Sequence, residues 1–262
     1  MTDQGRVAVI TGAGRGLGRA AALRLAADGV DLALLARSLG ELESVAEQAR
    51  AIGVRAAVVR ADVASTEDVL LAHEEIARQF GRVDILINNA GSLLYKPLIP
   101  LPGLADRFPD FDTAISDEQW DSVQGVHVGG SLRMLRTFGG GLLEQRYGRV
   151  VNVVSNVVRR TVPFTVCYDT AKGAVVQLTR SVAREWARFG VTVNAVAVGH
   201  FPTSMTQAQF DDPEGYRRMI GRIPAGRPGA PDEFAALVSF LCGEESGYIT
   251  GEVIAIDGGE TL

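Results

Sequence analysis

The sequence predicts an α/β fold: a doubly wound parallel sheet of about seven strands, in a three-layer α/β/α sandwich. Three observations carry that prediction. Short β-branched and aliphatic runs alternate with longer amphipathic stretches from near the N-terminus almost to the end, the rhythm of βαβ units. The short runs are nearly continuous in apolar residues, as expected of strands covered on both faces. Glycine supplies 30 of the 262 residues, above the usual ~7%, so the backbone must often turn tightly or approach something closely.

The elements follow in order. Val7–Ile10 reads as a strand and Leu17–Asp28 as a helix closed by Gly29. Asp31–Ala36 is a second strand, Gly40–Ile52 a helix ending at Gly53, and Val54–Arg60 a third strand. The helix Thr66–Phe80 stops at Gly81, and the strand Asp84–Asn88 follows. Further strands fall at Arg149–Val154, Val191–Val196 and Val253–Asp257, with helices at Glu118–Leu143, Tyr168–Arg188 and Asp232–Leu241. The triple glycine 139–141 is expected to end or kink its helix, or to permit close packing against a partner. Ser92–Ser116 and Gly199–Gly229 lack clear periodicity and are expected to be binding loops or lids. No linker or internal repeat divides the chain, so residues 1–262 are expected to form one domain, with an insertion near 92–116 and a lid near 200–220.

Composition narrows the function classes. Hydrophobic residues make up 47% and charged residues 22%, which disfavours disorder. The net charge of −5 argues against a nucleic-acid surface built on bulk positive charge. Two cysteines, Cys167 and Cys242, do not make a disulfide scaffold, so reduced thiols and a cytoplasmic setting are expected. The opening MTDQGRVAVITGAG has no targeting pattern, and no run approaches ~18 apolar residues, so no membrane partner is expected.

Between the first strand and its helix lies Thr11-Gly12-Ala13-Gly14-Arg15-Gly16-Leu17-Gly18. A strand, a glycine-rich turn and a helix N-terminus form an anion site, because free amides and the helix dipole favour a pyrophosphate. The spacing departs from the usual dinucleotide fingerprint, since Leu17 stands where the third glycine would fall. Tyr168 and Lys172 are four apart on a predicted helix and share a face. A nearby ammonium favours a phenolate, which is expected to bring the Tyr168 pKa toward working pH.

TGAGRGLG, NNAG at Asn88–Gly91, Ser155, YDTAK at Tyr168–Lys172 and YITGEVIAIDGG at Tyr248–Gly259 occur together in this order. In that combination the chain resembles the short-chain dehydrogenase/reductase family, in its compact single-domain, 3-oxoacyl-reductase-like branch with a Rossmann-like fold. The resemblance covers essentially the whole chain. It implies that Tyr168 exchanges a proton with a carbonyl or alcohol oxygen, that Ser155 hydrogen-bonds the same oxygen, and that Lys172 also holds the nicotinamide ribose. It further implies that Asp62 and Val63 hold the adenine and that Asn89, Ala90 and Gly91 line the middle of the cofactor. Gly199, Phe201 and Thr203 would complete the nicotinamide side. Where an NAD-binding chain would carry an acid after the second strand, this one has Ala36 and Arg37, with Arg15 in the glycine loop. Two guanidinium groups suit a 2′-phosphate, so NADP(H) is preferred and NAD(H) stays open. No metal is expected, since His73, His127 and His200 are scattered.

Two departures from the family pattern stand out. His127 occupies the usual Asn position in Trp120…Val126-His127-Val128-Gly129-Gly130. It is read either as a proton relay or as simple helix packing. Val198 replaces the usual Pro before Gly199, and the turn is expected to be less rigid for it. The expected activity is interconversion of a ketone and a secondary alcohol. A non-catalytic NADP(H)-binding regulator, an epimerase and a dehydratase stay open as alternatives. Leu93, Leu94, Tyr95, Val157, Val162, Phe164, Phe201, Met205 and Phe210 are expected around a lipophilic or cyclic carbonyl substrate. Arg159 and Arg160 are read either as solvated or as meeting an anionic tail. The resemblance implies a homo-tetramer or homo-dimer.

Overall fold

The computed structural model describes residues 5–262 apart from Ala105 and Arg107, and of Pro109, Ala208 and Gln209 it describes only the backbone. The reading of the first four residues as free of a targeting pattern, and part of the 92–116 and 200–220 readings, lie outside the described residues.

Seven strands form one sheet: β1 (Val7–Thr11), β2 (Asp31–Ala36), β3 (Ala56–Arg60), β4 (Ile85–Asn88), β5 (Gly148–Ser155), β6 (Val191–Val198) and β7 (Val253–Ile256). Their order is β3-β2-β1-β4-β5-β6-β7 and every pairing is parallel. The predicted class is therefore the observed one. β3 begins two residues later than expected because Asp31 holds Arg55, accepting from its amide at 2.7 Å and from Nε at 2.8 Å.

The helices are α1 (Gly16–Ala27), α2 (Leu39–Ile52), α3 (Thr66–Phe80), α4 (Asp117–Gln124), α5 (Gly130–Glu144), α6 (Val166–Trp186), α7 (Gln207–Asp211), α8 (Pro213–Ile220) and α9 (Pro231–Cys242). Strand alternation divides the core into two layers. Ala8 and Ile10 of β1 pack with Ala22 of α1, Leu42 of α2 and Phe234 of α9 on one face. Val7 and Val9 pack with Ile76 of α3, Met134 of α5 and Ala183 of α6 on the other. Each large side chain buried here stabilises the fold by ~1.5–3 kcal/mol.

The helix expected over 118–143 is instead α4, a π turn at Gly125–Gly129 and α5. The break falls at His127, and the triple glycine runs within α5. Gly139 is needed there because a Cβ would lie 2.6 Å from Cη2 of Trp186. The close packing is thus between α5 and α6 of the same chain. The segment 199–229, expected to be irregular, contains α7 and α8. Asp212 caps α8 by accepting from the amides of Glu214 and Gly215, with Pro213 at the first helical position, a start signal independent of periodicity.

β6 extends to Val198, which pairs with Ser155 on one side and Ile256 on the other. The sheet thus fixes the approach to Gly199 that proline fixes elsewhere. The chain leaves β1 toward β2 on one side and continues to β4 on the other, so the connections after β1 and β4 lead to helices on opposite faces of the sheet. That reversal opens a crevice at the carboxyl ends of the strands, where ligands of such sheets bind. Among the described residues, no helix is long and apolar enough to cross a membrane.

Candidate active site

The loops after β1 and β4 are locked together before any ligand is considered. Thr11 Oγ1 accepts from the amides of Asn89 and Ala90 at 2.9 and 3.0 Å. Asn89 Nδ2 donates to the carbonyls of Thr11 and Gly12 at 3.0 and 3.1 Å. Gly12 turns with φ +64°, and a Cβ on Gly18 would lie 2.2 Å from the Gly12 carbonyl oxygen, so the start of α1 seats directly on the turn. The first turn of α1 carries no acidic residue, leaving its positive end uncompensated.

A crevice of about 300 Å³ runs over this turn. It is lined by the predicted Gly12, Gly14, Arg15, Gly16 and Leu17, by Arg37, by Asp62 and Val63, and by Asn89, Ala90 and Gly91. His127, Tyr168, Lys172 and Thr203 line it as well. Gly18 lies beneath the turn, and Gly199 and Phe201 face a neighbouring cavity. The Phe201 ring is buried against Phe234, with centroids 6.3 Å apart. Glu41 of α2 was not anticipated: its carboxylate lies 3.5 Å from Arg15 at the Arg37 end of the crevice. Thr11 was also missed, because nothing marks an isolated buried threonine as a latch.

Ser155 ends β5, and Tyr168 and Lys172 lie on α6, so the sheet and one helix bring the three together. Ser155 stands close enough to the Tyr168 phenol to favour its ionised form. Lys172 Nζ donates to the Val153 carbonyl at 2.8 Å and lies 5.4 Å from the centre of the Tyr168 ring. Burial pushes the Tyr168 phenol up to about 12, against the opposing effect of Ser155. Burial also pulls Lys172 down to about 7. The expected lowering of Tyr168 by its ammonium neighbour is therefore not what the free protein shows, because desolvation of the phenolate outweighs it.

His127 stands edge-on to the Tyr168 ring, with centroids 5.4 Å apart. Its Nε2 accepts from the Ser92 amide at 3.1 Å, and the Ser92 carbonyl lies 2.8 Å from the same nitrogen. Either neutral tautomer thus finds a partner in Ser92. Burial, followed by the Lys172 charge, holds His127 down at about 3. The imidazole fits because residue 91 is glycine, where a Cβ would lie 2.6 Å from Cε1.

Comparison with known proteins places this geometry. A family described as enoyl-(acyl carrier protein) reductase matches residues 12–261. The short-chain reductase protein NovJ of Streptomyces niveus is 36% identical over 262 residues, covering 98% of this chain and 94% of that protein. The 3-oxoacyl-[acyl-carrier-protein] reductase FabG of Escherichia coli is 34% identical, covering 99% and 98%. The chain belongs to the short-chain dehydrogenase/reductase family. It is an oxidoreductase of that type. Among solved structures, a putative gluconate dehydrogenase from Agrobacterium tumefaciens superposes with a TM-score of 0.90 at 32% identity, covering 99% of this chain and 97% of that one. A gluconate 5-dehydrogenase from Burkholderia cenocepacia, in complex with NADP and tartrate, gives 0.89 at 31%, covering 98% and 96%.

Beside the crevice, this short-chain dehydrogenase has a second cavity of about 740 Å³. Ser155, Tyr168, Val198, Gly199 and Thr203 line it, so Tyr168 faces both spaces. Of the apolar residues expected there, Leu93, Tyr95, Val157, Val162, Phe201 and Met205 do line it. Leu94 instead packs beside Val123 and Cys167, and Phe210 packs on Tyr216. Phe164, held at φ +69°, stacks on Phe111 at 4.9 Å, and its carbonyl accepts from the Lys96 amide at 2.8 Å. These contacts tie the 92–116 segment to Phe164, and Phe108 of the same segment lines the cavity wall. The far wall is polar, with Arg160, His200, Arg218, Arg222 and Glu260. Arg159 turns away to donate to the Val253 carbonyl at 3.0 Å. Among the described residues, no cluster of three or more His, Cys, Asp or Glu side chains is arranged to hold a metal.

Proposed function

We propose that the chain is an NADP(H)-dependent ketoreductase that interconverts a ketone and a secondary alcohol, with residues 1–262 acting as one domain. One observation carries the reading. Tyr168, lining the larger cavity together with Ser155 and flanked by Lys172, sits where the nucleotide crevice meets that cavity.

The crevice suits a dinucleotide: Gly12, Gly14, Gly16 and Gly18 keep the turn bare, and the α1 amides face the pyrophosphate. Arg15 and Arg37 would meet a 2′-phosphate, Asp62 and Val63 the adenine, and Leu17, Asn89, Ala90 and Gly91 the middle. Gly199, Phe201 and Thr203 would border the nicotinamide. The bound cofactor supplies or accepts the hydride. The protein supplies the proton and the oxyanion contacts. In the reductive direction Tyr168 donates its phenolic proton to the substrate oxygen, while Ser155 stabilises the developing alkoxide. Lys172 holds the ribose and favours the phenolate that remains. His127 belongs to this group as a neutral imidazole that fixes Ser92 and the Tyr168 ring.

The substrate is a lipophilic or cyclic carbonyl whose body lies against the apolar wall formed by the 92–116 insertion and the 200–220 lid. The protein is proposed to act in the cytoplasm as a homo-dimer or homo-tetramer, which sedimentation at working concentration tests. An NADPH-oxidation screen over ketones of graded size and charge tests the function. Turnover is expected with at least one of them. NADPH binding without turnover across the panel would favour a non-catalytic regulator, and product formed without matching NADPH consumption would favour an epimerase or dehydratase.

A further inference from the structure

The strongest unassigned feature lies at the end of the chain. Glu260 is a carboxylate only 6% exposed in the wall of the larger cavity. Its Oε2 accepts from Asn156 Nδ2 at 2.9 Å and lies 3.3 Å from His200 Nε2, while Oε1 lies 3.9 Å from Arg222 Nε. Asp257 builds the turn that presents it. The Asp257 carboxylate accepts from the amides of Gly259 and Thr261 and from the Thr261 hydroxyl, and its carbonyl accepts from the Glu260 amide. The carboxylate is therefore fixed in place and compensated, as a nearly buried charge must be.

Its effect runs through Asn156. A carboxylate accepts and cannot donate, so only Nδ2 of the carboxamide can face Glu260. That leaves Oδ1 toward Ser155, 3.4 Å from Oγ, so in the free protein the hydroxyl hydrogen rests on Asn156 and turns to the substrate oxygen only when one is bound. Reversed, the carboxamide would set two acceptors against each other and aim a donor at Ser155 Oγ. We propose that Glu260 is a positioning residue for Ser155, acting through the Asn156 carboxamide. This rests on the reading of Ser155 as the group that meets the substrate oxygen. The link explains how the last residues of the chain, the loop after β6 and the base of the lid bear on the end of β5.

The test compares steady-state reduction of the best ketone from the NADPH screen by the wild type and by Glu260→Ala, Glu260→Gln, Asn156→Ala and the Glu260→Ala/Asn156→Ala double variant. Loss of a hydrogen bond to a charged group predicts about a tenfold or greater fall in kcat for Glu260→Ala, with the KM for NADPH within about twofold. Glu260→Gln, whose amide oxygen still accepts from Nδ2, is expected to recover most of that loss. The double variant is expected to be no worse than Asn156→Ala, because both changes cut one link. A Glu260→Ala enzyme with unchanged kcat, additive losses, or a Gln variant as impaired as the Ala variant would each overturn the proposal. Should Glu260→Ala not fold, Asn156→Ala cuts the same link with Glu260, His200 and Arg222 in place, and unimpaired turnover there overturns it equally. A wild type that turns over no ketone overturns the functional reading and this inference with it. An active wild type indifferent to these changes overturns the inference alone.

Discussion

Single side chains set the chemistry, and His127 shows how burial decides a charge. Its folded pKa of about 3 lies below the ~6.5 of an exposed histidine. The unfolded chain therefore binds the extra proton first as pH falls, and the stability due to the neutral imidazole is complete above pH ~6.5 and lost progressively toward pH 3. By pH 5 this amounts to about 2 kcal/mol. Urea unfolding of His127→Asn is expected to lack that slope between pH 6.5 and 5; an equal slope in both proteins would show that His127 already titrates normally. At the other end of the crevice, Arg37→Ala is expected to weaken NADPH binding about tenfold or more while leaving NADH binding within about threefold, because charge-assisted contacts to phosphate are strong. Glu41→Gln is expected to tighten NADPH binding by freeing Arg15 from its neighbour, and isothermal titration reads both. Arg15, Arg37 and the Ser155, Tyr168 and Lys172 group were legible in the sequence because they sit in or beside recognisable motifs. Glu41 and Glu260 were not, since each reaches the site from a segment remote in sequence whose own pattern carries no signal.

Elements hold these side chains by close approach. Gly18 shows the tightest case: Gly18→Ala drives a methyl against the Gly12 carbonyl, which is backbone and cannot yield cheaply. A loss of ~1–3 kcal/mol is expected from such overpacking, read by chemical denaturation, together with weakened NADPH binding. A Gly18→Ala protein of unaltered stability would mean that the turn and α1 are not seated as described. Strand and helix positions were largely readable, since fully covered strands are continuous apolar runs and α2, α3 and the 3-10 turn after α6 end at left-handed glycines. The π turn at His127 was hidden, because helical periodicity does not register one inserted residue until a side chain is seen to be re-aimed. Of the two readings of the triple glycine, a helix end or kink does not occur, and the close packing that does occur is with Trp186 of the same chain. Gly139 is required by its contact with Trp186, which composition alone does not reveal, whereas a Cβ at Gly140 or Gly141 would meet open space.

Across the whole molecule, the reversal of strand order between β1 and β4 places the glycine turn, the Asn89 latch and α6 around one opening. The same reversal sets the larger cavity beside it, with Tyr168 on the boundary. The class of fold was legible from the βαβ rhythm, whereas the polar far wall of the cavity was not, because its residues come from four separate segments. On the boundary of crevice and cavity, Tyr168 is proposed to move the proton of an NADPH-dependent ketone reduction. The most direct measurement is NADPH oxidation with the best ketone by wild type and Tyr168→Phe, beside NADPH titrations of both and the same assay with NADH at equal concentration. The wild type is expected to turn over and to prefer NADPH, and Tyr168→Phe to bind NADPH normally yet lose turnover by about a hundredfold or more. A Tyr168→Phe variant with full activity would contradict that role.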